Sequence, residues 1–428
     1  MKENYLLKTE NAERLYFEYA EKLPIIDFHN HISVSDVASD RRFENLYELW
    51  LASDPYKHRL MRICGVDEHF ITGDAEPYEK FVKYCEIFPY LAGNPVYSWS
   101  RMELSRVFGI NELPTKEKAG YIYARAGEML ASSEFSNNAL LRRFNVEYQS
   151  PVASLLDDLS LFDGKSVAPS LRGDDLLAPT KELVAKLSER TGREISDKSS
   201  YIGAVAVMLD RFAELGCHFA DHALDADFFE NDTDGKKTDM LTSLGVEYAK
   251  RGWTLLLHVD AKRKTSARLA RLAGPAGGYA AVGGGFNISA LCDLLNAMES
   301  AGGLPDTVLF PLNMNDQAPL AVMQGSFSED GTPSKVQLGP AWWWCDHALG
   351  IENTLACISS FGVLSQFIGM TTDSRSILSF VRHDYFRRLL CSWLDKESTV
   401  GEWDLPVGIQ GNIVRKICYE NAKSKIIK

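Results

Sequence analysis

The sequence predicts a (β/α)8 barrel that carries a helical insertion after its first strand. Seven short β-type runs follow residue 144 and alternate with helical stretches, and an opening run at 23–31 makes eight; such alternation is the pattern of a parallel sheet covered by helices. Imidazole and charged groups recur at the ends of these runs, the rim where a barrel gathers its site. The region from about 34 to 143 holds helical patterns and no strong strand run. At 428 residues the chain exceeds the common one-domain length, yet barrels with insertions reach this size. The expected organisation is one domain over 1–428.

The first strand is expected at Leu23-Pro-Ile-Ile-Asp-Phe-His-Asn-His31, an apolar run ending in two histidines with one residue between them. Side chains two apart on a strand point the same way, so both imidazoles would face one side of its end. A helix over 9–22, capped by Thr9, feeds this strand. After it, patterns such as FENLYELWLAS and PYEKFVKYCEIFPYLA, punctuated by Gly65, Gly73, Gly93 and Pro95, read as helices. The later strands are expected at Asn145-Val-Glu-Tyr-Gln-Ser, Ser166-Val-Ala-Pro-Ser-Leu, Cys217-His-Phe-Ala-Asp-His, Thr254-Leu-Leu-Leu-His-Val, Thr307-Val-Leu-Phe-Pro-Leu, Lys335-Val-Gln-Leu-Gly and Phe367-Ile-Gly-Met-Thr-Thr-Asp. Pro169 inside the second of these removes a ladder donor, so that strand should end or bulge there. The glycine-rich stretch from Gly274 to Phe286 lacks a following Gly-Lys-Ser/Thr and reads as a loop, not a phosphate cradle.

Composition narrows the partners. No apolar run approaches the roughly 18 residues of a membrane span, and Met1-Lys-Glu-Asn-Tyr5 precedes no apolar stretch of the secretory kind. The eight cysteines are scattered without CxxC pairs, which favours reduced thiols and a cytoplasmic location. A net charge of -12 with no basic block argues against nucleic acid. An anionic small molecule remains compatible, because local arginines can outweigh the global balance. A homo-oligomer is also compatible.

The groups at the run ends are His29 and His31, Arg172, Asp221 with His222, His258 followed by Arg263, Trp342, and Asp373 with Arg375. Each has a plainer reading. Asp221-His222 suits a structural pair in a turn, His258 a buried hydrogen-bonded histidine, and Asp373 a helix cap. Of Trp342-Trp-Trp344, at least two rings suit packing. Arg382, Arg387 and Arg388 have the spacing of a solvated helix face and are left out of the site. The preferred metal set is His29, His31 and Asp373, two nitrogens and one carboxylate, with positions open for substrate. The fourth run ends Ala220-Asp221-His222 without a lysine, so one divalent ion is favoured over a bridged pair, with zinc first among the candidates.

With these residues in view, the chain resembles the uronate isomerase (glucuronate isomerase) family, a divergent branch of the amidohydrolase superfamily. The resemblance runs through Pro24-Ile-Ile-Asp-Phe-His-Asn-His31, Asp40-Arg-Arg-Phe-Glu-Asn-Leu46, Asp221-His-Ala-Leu-Asp225 and Leu257-His-Val-Asp-Ala-Lys-Arg263. It is strongest at Gly369-Met-Thr-Thr-Asp-Ser-Arg-Ser376, leading to Arg382-His-Asp-Tyr-Phe-Arg-Arg-Leu-Leu-Cys391. It implies a metal-dependent barrel that interconverts glucuronate with fructuronate and galacturonate with tagaturonate, needing no redox cofactor. The implied metal ligands fall on His29, His31 and Asp373, and the other implied site positions on Tyr56, Arg172, His258, Arg263, Trp342 and Arg375. Where the family usually reads Asp-His-Tyr-Lys-Trp-Arg, this chain reads Asp54-Pro-Tyr-Lys-His-Arg59, so Pro55 replaces a histidine. The family's acidic Thr-Thr-Asp-Asp-Pro is here Tyr148-Gln-Ser-Pro151.

Isomerising an open-chain uronate means taking a proton from the carbon beside a carbonyl and returning one to its neighbour through an enediol. The metal and an arginine, Arg172 or Arg263, would hold the substrate carboxylate, with Trp342 a further substrate-binding position. Asp373 would move a hydroxyl proton during ring opening, with Arg375 nearby. Tyr56 would be the carbon-acid base if an arginine lowers its pKa, with His258 as the alternative. A hydrolase or lactonase using the same metal set is the rival reading. His58, one helical turn from Pro55, either takes over the missing imidazole's role or is an exposed helix residue.

Overall fold

In the computed structural model, which describes residues 2–400 and 403–427, the chain folds as a (β/α)8 barrel. Strands β1 (Ile25–Asn30), β2 (Val146–Ser154), β3 (Ser170–Arg172), β4 (Phe219–Asp225), β5 (Thr254–Lys262), β7 (Asp306–Pro311) and β8 (Val336–Leu338) lie side by side in that order. Every neighbouring pair among them is parallel. The two-residue β6 (Ala281–Val282) runs antiparallel on β5. Strands buried on both faces read as continuous apolar runs, as in β5, where Thr254 through Ala261 are all buried.

The eighth barrel position departs from expectation. Segment 367–373 lies where the last strand is expected but forms no regular ladder. Side chains do the work of backbone there. Buried Asp27 on β1 accepts from Thr372 N at 2.7 Å, Thr372 Oγ1 at 2.8 Å and Thr371 Oγ1 at 3.0 Å. Asp373 N donates to the His29 carbonyl at 3.1 Å and His31 N to the Ser374 carbonyl at 2.8 Å. On the other edge Ile368 N donates to Gln337 Oε1 on β8 at 2.9 Å. Buried backbone groups need partners, and across this seam a carboxylate, a glutamine amide and threonine hydroxyls supply them alongside two backbone bonds.

Pro169 acts differently from expectation too. The strand begins immediately after it, at Ser170, preceded only by an isolated bridge between Gln149 and Val167; proline, lacking a donor, is accommodated before the ladder starts. The stretch 274–286 is a loop apart from β6.

Thr9 caps the helix Glu10–Arg14 through Ala12 N, and a wider-wound turn, Leu15–Ala20, continues it toward β1. Between β1 and β2 the described elements are all helical, from Val34–Ala38 to Asn137–Arg143. Among them, Pro55–Ile63 begins at Asp54, whose side chain accepts from Tyr56 N and Lys57 N, with proline in the first turn where no donor is needed. Lys57 is buried and secures this start by bonding Asp54 Oδ2 at 2.7 Å and Glu103 Oε2 at 3.3 Å.

Helix Val381–Thr399 corrects one expectation outright. Arg382, Arg387 and Arg388 are buried, not solvated. The helix packs against Glu10–Arg14, Pro95–Phe108 and Ala348–Phe361, so no side of it is left for a polar stripe. Its arginines are paired inward instead: Arg387 donates to the Leu23 and Pro24 carbonyls, and Arg388 to Asp384 and to the Glu3 and Tyr5 carbonyls. Among the described residues no helix is long and apolar enough to cross a membrane.

Candidate active site

A cavity of about 400 Å³ opens at the carboxyl ends of the strands, the place where parallel barrels keep their chemistry. All nine sequence-predicted site residues line it: His29, His31, Tyr56, Arg172, His258, Arg263, Trp342, Asp373 and Arg375.

His29 and His31 leave the end of β1, and Asp373 comes to them across the seam. Asp373 Oδ1 lies 3.4 Å from His29 Nε2 and 3.0 Å from His31 Nε2. Trp342 Nε1 donates to the other carboxylate oxygen at 2.5 Å. Burial pushes the Asp373 carboxyl up, but hydrogen bonds and charge from His29 and His31 hold it well below the usual carboxylate range. Asp373 also sits at φ 47°, in the left-handed region that non-glycine residues seldom occupy, and such strain concentrates at functional sites. One ligand atom from each of these three residues lies within 4.8 Å of the others. Two imidazole nitrogens and a carboxylate oxygen at this separation are a donor set that fits a divalent ion.

Deeper in the cavity, His258 Nδ1 pairs with Asp221 Oδ1 at 2.5 Å. Its ring stacks on Phe310 at 4.4 Å, and its Nε2 is buried with no hydrogen-bond partner. Burial pushes Asp221 up, while His258, His29 and Arg172 pull it strongly down. The carboxylate therefore fixes the ring through Nδ1 and leaves Nε2 uncommitted. Asp221 and His222 part company: His222 turns away and meets Tyr248 Oη at 2.9 Å. The plainer reading suits His222, whereas Asp221 lines the cavity.

Two arginines stand beside this dyad, Arg172 at the end of β3 and Arg263 just past the end of β5. Arg172 pairs with Asp174 at 3.0 Å and reaches Asp221 at 3.7 Å. Arg263 is held by Asp225 and lies 6.0 Å from the Trp342 ring centroid. Arg375 is exposed at the rim, its Nη1 3.5 Å from the Ala276 carbonyl. It is not the arginine beside Tyr56. That partner is Arg382, whose Cζ lies 5.5 Å from the Tyr56 ring centroid. Burial pushes the Tyr56 phenol well up, and the pull of Arg382 does not overcome it. Sequence reasoning missed Arg382 because its helical spacing imitates a solvent face; its place in the quoted Arg382–Cys391 block was the available signal.

The model of the glucuronate isomerase family matches residues 1–239 and 229–425. A uronate isomerase of Caldanaerobacter subterraneus is 36% identical over 457 residues, covering 99% of this chain and 98% of the relative. One from Oceanobacillus iheyensis is 36% identical over 462 residues, with 99% and 97% covered. The chain belongs to the glucuronate isomerase family. The crystal structure of a uronate isomerase from Thermotoga maritima superposes with a TM-score of 0.91 at 27% identity, covering 100% of this chain and 99% of that one. A glucuronate isomerase structure from Caulobacter crescentus shares the fold, with a TM-score of 0.87 at 21% identity and coverage of 100% and 96%.

Within this glucuronate isomerase barrel, Pro55 lines the cavity where the family pattern has histidine, and His58 does not line it. His58 is buried, not exposed, and its Nε2 has no partner. One turn of helix carries its ring behind the wall, so it offers no substitute imidazole to the cavity.

Proposed function

We propose that the protein interconverts aldose and ketose forms of hexuronates, D-glucuronate with D-fructuronate and D-galacturonate with D-tagaturonate. The observation that carries this reading is the full-length family match together with one cavity holding a metal-type donor set, a dyad and two arginines.

One divalent ion, zinc by preference for a histidine and carboxylate set, would be held by His29, His31 and Asp373; it supplies Lewis-acid polarisation of a substrate oxygen. Arg172 and Arg263 receive the substrate carboxylate, which a guanidinium matches bidentately. Trp342 orients Asp373 through its indole N–H, and Asp373 takes the hydroxyl proton released at ring opening. Arg375, at the rim, covers the mouth and adds positive charge. The phenol of Tyr56 is half-buried at the cavity and keeps its proton, so it is suited to donate a hydrogen bond to the oxygen that becomes negative in the enediol. His258, steered by Asp221, has the free Nε2 suited to move the proton between carbons. This takes His258, the alternative base that the sequence suggests, in place of Tyr56.

Incubating the metal-replete chain with glucuronate and galacturonate in deuterated water and following it by NMR tests the reading. Ketose of unchanged composition is expected; a product that has gained water would establish a hydrolase or lactonase instead.

A further inference from the structure

Behind the cavity wall stand two buried charges to which the reaction outlined above gives no part. Arg382 is 2% exposed and Asp346 4%. Arg382 Nη1 donates to Asp346 Oδ2 at 2.7 Å, and Nη2 donates to the Thr372 carbonyl, one residue before Asp373. The guanidinium lies 5.0 Å from the Trp99 ring centroid. Trp99 and Trp344 in turn each meet Tyr56 in a T-shaped contact, at 5.5 Å and 5.4 Å. Tyr56 is therefore boxed by two indoles and one cation, and the Nε–H of that cation has no hydrogen-bond partner.

A buried ion pair is a poor device for stability, because desolvation costs about as much as the attraction returns. Its value lies in direction: a guanidinium presents a rigid fork, and here Asp346 and the Thr372 carbonyl hold two of its arms. We propose that Asp346 and Arg382 form a positioning pair for Tyr56, fixing its hydroxyl toward the cavity as a hydrogen-bond donor to substrate. This rests on the reading that Tyr56 serves the hexuronate reaction. The charged groups that reach the phenol are Arg382 from helix Val381–Thr399, Asp346 from the turn before helix Ala348–Phe361, and Asp373. Arg382 draws the phenol's proton affinity down, and Asp346 raises it.

The test uses the metal-replete full chain with Tyr56→Phe, Asp346→Asn and Arg382→Lys, alone and combined. Acting through Tyr56, Asp346→Asn and Arg382→Lys each lower kcat about 10-fold or more with KM within about threefold of the parent, and have little further effect in the Tyr56→Phe background. Equal losses in both backgrounds overturn the proposal, as does a parent-like kcat for Tyr56→Phe. A parent that makes no ketose would fail the functional reading instead. The pair is then judged by fluorine NMR of the 3-fluorotyrosine protein, with the Tyr56 signal identified by its loss in Tyr56→Phe. Asp346→Asn and Arg382→Gln each shift or broaden that signal at fixed pH, because the ring loses its fixed setting. An unchanged signal in both variants overturns the proposal. Circular dichroism identifies any variant that fails to fold, and the remaining member of the pair then decides.

Discussion

Trp342 Nε1 donates to Asp373 Oδ2 at 2.5 Å, gripping the carboxylate whose other oxygen faces both His29 and His31. The indole fixes the rotamer of a would-be ligand without occupying a ligand position. Groups that orient a ligand from behind typically carry 10–100-fold of metal affinity. Trp342→Phe keeps the ring and removes the N–H, so metal affinity should fall by about 10-fold or more. Competition with a chelator measures this; an unchanged dissociation constant would show that the indole only packs.

The donor set itself makes a sharper prediction. His29→Ala, His31→Ala and Asp373→Asn should each lose most bound metal and activity while circular dichroism stays parent-like, because a rim ligand contributes to binding more than to core packing. Metal analysis of purified variants checks it. Unchanged metal content in all three would place the ion elsewhere.

Arg172 and Arg263 are tied to carboxylates on their own side of the cavity, Asp174 and Asp225. A charge-assisted contact is worth about 1.5–3 kcal/mol, so Arg172→Met or Arg263→Met should raise KM for a uronate by about 10-fold or more. Steady-state kinetics decides. If neither variant differs from the parent, another group holds the substrate carboxylate.

His58 supplies a pH prediction. Burial lowers its pKa in the folded chain, with Asp54 opposing. The unfolded chain therefore takes up a proton first, and stability present above the unfolded value of about 6.5 is lost as pH falls below it. The slope reaches at most about 1.4 kcal/mol per pH unit for one proton. His58→Phe should flatten this acid-side fall in Tm and leave kcat near that of the parent, since the ring lies outside the cavity. A large drop in kcat would restore the idea that His58 replaces the imidazole missing at position 55.

Much of the barrel was legible because its information is local. Apolar runs such as Thr254–Val259 announce strands buried on both faces, and the groups that end them, His29, Arg172, His258 and Asp373, meet at one mouth because parallel strands all end there. What stayed hidden depends on packing between distant segments. Arg382 has the periodicity of a surface residue, and only the surrounding helices turn that position inward. The closing segment reads as a strand, yet Thr371 and Thr372 answer Asp27 with their side chains, a substitution that no alternation of residues reveals. The separation of Asp221 from His222 follows from strand alternation, but which of the two faces inward depends on the register of β4 against β5.

The seam fastened by Asp27 also joins segments that are far apart in the chain. Asp27 and Thr371 are 344 positions apart, and His29 and His31 share their carboxylate with the far side of that same join. During synthesis the two histidines emerge early and wait through nearly the whole chain before Asp373 exists. The donor set is complete only when segment 367–373 docks against β1, so an ion seated there is a clasp on a closed ring. The entropy of closing so long a loop grows only slowly with its length, and an ion that binds the closed ring alone adds its binding energy to holding the two ends together.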